Sequence, residues 1–192
     1  MEKEKIGADE IRIEKLTDSH KEIICGIQSY EKELVDFLIE DALEQQKRKI
    51  SVTYLWFSRK SNDLMAYVTI SPDCVKLKGI SKSLSQKFRD KGINYKSLPA
   101  LKIGRLCVDD RYLKKGIGTL IIQFTIKIAA SLSKQVGCRF LYLDAKRNDD
   151  PSKDVIHFYK NMGFEIYSEK ERRKETPMYM DLWPILEELR DD

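Results

Sequence analysis

LKIGRLCVDDRYLKKGIGTL, residues 101–120, decides the fold. Ile103, Leu106 and Val108 supply apolar strand positions, and from Ile117 onward Leu120, Ile121, Phe124, Ile128 and Leu132 recur at helical spacing. The change of period marks a strand running into a loop that opens a long amphipathic helix. Between the two stand Lys114, Lys115, Gly116, Ile117, Gly118 and Thr119. Two glycines let the backbone approach a ligand closely, a helix N-terminus presents amides that favour an anion, and two lysines add positive charge. Such a place suits a phosphate or pyrophosphate. An ordinary loop and helix start is the other reading of the same residues.

Two familiar phosphate loops fail here. A P-loop needs GxxxxGK followed by Ser or Thr, but Thr119 follows Gly118 directly and no lysine follows a second glycine. A dinucleotide fingerprint needs a third glycine where Ile121 stands.

Working outward, 192 residues with 42% hydrophobic content make one well-buried core, hence a single domain over 1–192. A net charge of +4, from 35 basic and 31 acidic residues, permits an acidic ligand or RNA without demanding either. Cys25, Cys74, Cys107 and Cys138 are scattered, without a CxxC pair and with two histidines in all, so neither a metal site nor a disulfide framework is indicated. Reduced thiols point to a cytoplasmic protein. MEKEKIGADE is too charged for a signal sequence, and no apolar run approaches a membrane span.

Along the chain, Ile11, Ile13 and Leu16 suggest a first strand, and residues 19–26 a connection. A helix follows with Ser29 as N-cap and Leu34, Phe37, Leu38, Ala42 and Leu43 on its core face, ending in the basic QQKRK. VTYLWFS (52–58) and 64–70 form a hairpin around Ser61, Asn62 and Asp63. Residues 72–100 read as a solvated insertion holding a short basic helix over 81–91, closed by Gly92. It is the most basic exposed stretch, and an RNA contact is conceivable there although aromatic interleaving is lacking. The long helix runs to about Val136 with Gly137 as its cap, and Phe140 to Leu143 is a short buried strand joined to its predecessor by a right-handed crossover. Asp150 and Pro151 signal the next helix start, on which Val155, Phe158, Tyr159 and Met162 share a face. Residues 164–168 and 178–183 read as closing strands around EKERRKETP, and a tail covers 184–192.

Two motifs carry a family resemblance. The loop fits the pattern Arg or Gln, two residues, Gly, one residue, then Gly or Ala at Gly116 and Gly118, with Leu113 at the first position. In DVIHFYKNMGFEIYSEK, Tyr159, Gly163 and Phe164 follow in the order of helix tyrosine, Gly-Phe and strand. The chain thus resembles the GNAT N-acyltransferases, and departs from many members at Ser152, where they have Asn. Residues 40–57 and 104–118, Arg105 included, are further similar to GNAT toxins of toxin-antitoxin systems, which acetylate aminoacyl-tRNA.

The resemblance implies an α+β fold in α/β/α layers: a mixed, mainly antiparallel sheet of six to seven strands, a splayed central parallel pair, and helices on both faces. It implies acetyl-CoA as cosubstrate, without metal, and direct transfer to a primary amine. Leu113, Lys114, Lys115, Gly116, Ile117, Gly118 and Thr119 would hold the CoA pyrophosphate, and backbone at Leu106, Cys107 and Val108 the pantetheine. Tyr159 would be the general acid to the thiolate. Core packing is the competing account of that tyrosine. The general base is open among Asp109, Asp110, Asp144 and a water chain. His157 reads as exposed, and Cys107 as a strand residue rather than a nucleophile. Implied partners are the amine acceptor, tRNA, a second copy in a homodimer and, with the toxin likeness, an antitoxin-like protein, but no membrane. The alternatives are a non-catalytic CoA-binding or regulatory module, and an RNA-binding protein.

Overall fold

The computed structural model describes residues 4–148, 150, 154–167 and 174–188. The chain divides into two compact units, Met1–Ser71 with Ile103–Phe124, and Pro72–Lys102 with Thr125–Asp192. Among the described residues no helix is long and apolar enough to cross a membrane.

In the first unit, β1 (Ile11–Lys15) pairs antiparallel with β2 (Val52–Ser58), which pairs antiparallel with the start of β3 (Leu64–Lys76). Leu55 and Phe57 on one face of β2 and Tyr67 of β3 form a core with Leu38 and Ala42. Those two come from a helical run made of α2 (Lys32–Asp36), a π turn (Phe37–Asp41) and α3 (Ala42–Lys47). Alternation puts Tyr54 and Trp56 on the opposite face of β2, where the ring of Phe124 meets them edge-on at 5.1 and 5.5 Å. Two local expectations are corrected. Residues 19–26 are no plain connection, since α1 (Lys21–Ile24) drives Ile24 into the core. Ser29 is not the N-cap: its hydroxyl accepts the Glu31 amide at 3.1 Å in a turn before the helix, whose N-cap is Glu31 itself.

In the second unit, β5 (Phe140–Lys146) pairs antiparallel with β7 (Glu175–Asp181), which carries β6 (Glu165–Ile166) on its other side. β3 runs on past Pro72 to Lys76, and β4 (Ser97–Val108) begins before Pro99. α4 (Lys82–Asp90) lies between them in sequence, with the Ser81 hydroxyl accepting the Leu84 amide. The expected solvated insertion at 72–100 is therefore corrected. Val75, Leu77, Ile80, Phe88 and Ala100 are buried in a core with Phe140 and Tyr179. Val75 and Leu77 point inward while Lys76 and Lys78 point out, an alternation that Pro72 hides in the sequence. Ile80→Val is expected to cost about 1 kcal/mol in a denaturant titration, as for a packed Ile. No change would return the segment to the surface.

α6 (Ile156–Asn161) starts later than Asp150 and Pro151 suggest. Asp154, not Asp150, accepts the Ile156 amide at 2.9 Å, while Asp150 is itself tied to Asn148. Pro151 and Ser152 lie outside the described residues, as do Ser168 and most of the charged turn before β7. The tail after β7 opens as α7 (Trp183–Glu188). α5 (Ile117–Ser133) is fully buried along Ile117, Ile121, Ile122 and Ala129, whereas Leu120, Phe124, Ile128 and Leu132 are half-buried. The strand order is β1-β2-β3-β4-β5-β7-β6, mostly antiparallel, with β4 and β5 parallel and joined through α5.

Candidate functional site

Leu106, Cys107 and Val108 end β4 and lead into the loop that enters α5, all within the first unit. Asp109, the first residue past the strand, anchors this corner. Its amide donates to the Met65 carbonyl at 2.8 Å, and its fully buried carboxylate accepts the amides of Gln28 and Arg111, each at 2.9 Å. Arg111 completes the arrangement as a fork, Nε and Nη2 each 2.8 Å from a carboxylate oxygen. Burial pushes the Asp109 carboxyl up, but the guanidinium and the two amides outweigh it and hold the group below its ordinary value.

Beyond this anchor the chain turns through Asp110–Tyr112. Tyr112 donates its hydroxyl to Asp63 at 2.8 Å and offers its ring to Lys115, whose ammonium stands 4.9 Å from the centroid. Ser61 also donates to Asp63, at 2.6 Å, and these two hydroxyls hold that carboxyl below its ordinary value. Lys114 and Gly116 both adopt left-handed backbone, at φ 64° and 85°, and the Ile6 amide closes on the Lys115 carbonyl at 3.0 Å. α5 then starts at Ile117, so the amides of Ile117, Gly118 and Thr119 lie in a first turn that has no carbonyls behind it. Lys114 is exposed, Leu113, Lys115, Gly116, Gly118 and Thr119 are half-buried, and Ile117 is buried. The corner brings first-turn amides together with the cations Lys114 and Lys115, a chemistry that favours an anion.

Cys107 faces the first core beside Tyr67, and burial pushes its thiol up to about 11 despite a hydrogen bond with Ser29. It is a neutral thiol at pH 7, unsuited to nucleophilic attack. Asp144 accepts from Lys102 at 2.8 Å and from the Tyr142 hydroxyl at 3.1 Å. Both Asp109 and Asp144 are thus committed to structure. Asp110 has one carboxylate oxygen shut away from water with no partner among the described residues. Arg105 is exposed, donating to the Gly104 carbonyl at 2.8 Å with its guanidinium 5.2 Å from the Phe37 ring.

Tyr159 belongs to the second unit, on α6. Its ring is 8% exposed, between Phe158 and Phe164 with centroids at 5.1 and 5.6 Å. No hydrogen bond joins its hydroxyl to another described residue, in contrast to Tyr67 and Tyr179, whose hydroxyls donate to the Leu34 carbonyl and to Glu165. Burial raises its phenol pKa well above the ordinary value. His157 is exposed.

The Asp109 anchor and the Tyr112–Asp63 bond escape sequence reading because their partners are 81 and 49 residues apart. The signal that was open to it is Asp109 two residues before Arg111, a spacing at which an aspartate carboxylate caps the following turn.

The profile of the acetyltransferase (GNAT) domain matches residues 50–166, from β2 through the corner at 113–119 and Tyr159 to β6. The chain belongs to the GNAT acetyltransferase family. No curated protein sequence matches it. Solved structures similar to this GNAT chain include AtaT complexed with acetyl-methionyl-tRNAfMet, 24% identical, with 95% of this chain and 99% of that one covered at a TM-score of 0.77. AtaTR bound with AcCoA is 25% identical over 96% and 99%, at 0.73. A tyrosine-to-phenylalanine mutant of the AtaT toxin, bound to the C-terminus of the antitoxin AtaR and acetyl-CoA, is 20% identical over 96% and 100%, at 0.68.

Proposed function

We propose that this GNAT enzyme moves the acetyl group of acetyl-CoA directly to the amine of an aminoacyl-tRNA, with Tyr159 as general acid. The observation that carries the reading is the corner at 113–119, where two left-handed residues turn the chain sharply into a 17-residue helix flanked by Lys114 and Lys115. Its amides and cations fit the CoA diphosphate. The AtaTR structure with AcCoA supports the cosubstrate, and AtaT with acetyl-methionyl-tRNAfMet supports the acceptor class. An antitoxin-like partner follows from the same likeness.

Acetyl-CoA supplies an activated acetyl group, and the chain supplies the rest. Amides at Leu106, Cys107 and Val108 serve the pantetheine and the carbonyl oxygen. The phenol of Tyr159, neutral at physiological pH, gives its proton to the departing thiolate, and burial raises its pKa and so makes it a weaker acid than a free phenol. Asp109 and Asp144 are tied elsewhere, which leaves Asp110, whose one carboxylate oxygen has no partner among the described residues, and a water chain to take the proton lost by the attacking amine. Calorimetry with acetyl-CoA, followed by thiol release over a panel of aminoacyl-tRNAs and small amines, tests the reading. Saturable binding with release on aminoacyl-tRNA is expected. Binding without release from any amine would make the chain a CoA-binding module instead.

A further inference from the structure

The positive charge of this chain is concentrated in one place. Residues 72–100 hold seven cations against two carboxylates, a local +5 in a chain whose total is +4. Elsewhere Arg12, Lys21, Lys32, Lys47, Arg48, Lys102, Arg111 and Arg139 are each matched with a carboxylate, whereas Lys15, Lys49, Lys60, Lys127, Lys134 and Lys160 enter none of these pairs but are dispersed along the chain. None of the ion pairs among the described residues involves a cation of this segment. Arg89 binds Gln86 and Ser85 of its own helix, and Lys91 leans over the Trp183 ring at 5.9 Å. Lys76, Lys78, Lys82, Lys87 and Lys96 are left exposed with no such bond.

The fold fixes where these lysines point. Val75 and Leu77 face the core, which sends Lys76 and Lys78 outward, and Phe88 does the same for Lys82 and Lys87 on α4. The Leu77 amide donates to the Lys96 carbonyl at 3.0 Å, so Lys96 lies across from the Lys76–Lys78 edge. Next to it stands Tyr95, 70% exposed and the most open tyrosine among the large exposed hydrophobics. An apolar underside thus carries exposed ammonium groups that enter no ion pair among the described residues, with the exposed Tyr95 ring next to Lys96.

We propose that this face of the second unit docks RNA, the lysines meeting backbone phosphates and Tyr95 stacking on an unpaired base. The ammonium groups fit any polyanion; the exposed ring of Tyr95, a single ring in a stretch without aromatic interleaving, is what favours a nucleic acid, because every base offers a face to stack on. The inference deepens the aminoacyl-tRNA reading and rests on it, by assigning the surface that would grip the RNA body.

The test is fluorescence anisotropy of full-length protein with labelled tRNA across a potassium chloride series. Wild type is compared with a Lys78→Glu, Lys82→Glu, Lys96→Glu variant and with Tyr95→Ala. The triple variant is expected to bind at least tenfold more weakly at low salt, with the slope of log affinity against log salt shallower by roughly 2–3. Tyr95→Ala is expected to bind about fivefold or more weakly with the slope unchanged. Acetyl-CoA calorimetry and thermal melting should match wild type in both, which separates docking from folding and from the acetyl site. Wild-type affinity and slope in the triple variant would overturn the assignment even where acetyl transfer to aminoacyl-tRNA stands. A triple-variant loss with no effect of Tyr95→Ala, and equal competition by an acidic peptide, would replace RNA by an acidic protein partner and overturn it too.

Discussion

Tyr159→Phe is expected to slow acetyl transfer about 10²–10³-fold while acetyl-CoA binds as in wild type. The change removes one oxygen from a ring that keeps its contacts with Phe158 and Phe164. That oxygen has no hydrogen-bond partner among the described residues, so the fold loses nothing by its removal. A drop in turnover with unchanged melting temperature and unchanged calorimetric affinity therefore isolates proton donation. The raised phenol pKa has a second consequence. The group is already fully protonated at neutral pH, so the turnover of wild type should show no loss attributable to Tyr159 as pH rises from 6 to 9. Full turnover by the phenylalanine variant would return this residue to the core.

Asp109→Ala should be the most damaging single change to the corner between β4 and α5. It strips the Gln28 and Arg111 amides of their acceptor and releases a guanidinium fork that holds the exit of β4. Breaking a buried pair from one side costs about 3–5 kcal/mol, and the half-exposed Arg111 side chain puts this case near 3. Urea denaturation would show it as a lower midpoint with an unchanged slope. Acid should mimic the substitution. The folded state holds this carboxyl below its ordinary pKa, so it binds the proton less readily than the unfolded chain does. The stabilisation is complete above the unfolded value, about 4, and is lost as pH falls through the lower folded one. The alanine variant should lack that part of the acid-induced loss. An acid profile identical to wild type would mean that Asp109 stabilises nothing.

How much of this was legible beforehand depended on the range of the interaction. The hairpin of β2 and β3 and the long helix α5 announce themselves because alternation and helical period are local properties of the chain. The loop between β4 and α5 was legible for the same reason: Lys114 to Gly118 are contiguous. What stabilises that loop was not, since Gln28, Asp63 and Ile6 reach it from distant parts of the sequence. The second core was obscured by Pro72 and by the lysines that interrupt its apolar positions one by one. At α6 the stronger capping signal, Asp150 followed by Pro151, lost to Asp154 nearer the helix, because a cap acts only through the first-turn amides it can reach. The ring of Tyr159 was foreseeable as core from its helical face. The condition of its hydroxyl was not, because that depends on what every other element brings near it.

Lys114 sits at φ 64°, a region where a side chain costs about 1–2 kcal/mol and where glycine would rest at ease. A loop that had only to reverse direction could relax by giving up the side chain. This one keeps an ammonium group there at that cost, as the turn after α3 does at Lys49 with φ 62°, so Lys114→Gly should ease the bend while removing one cation from the entrance of α5.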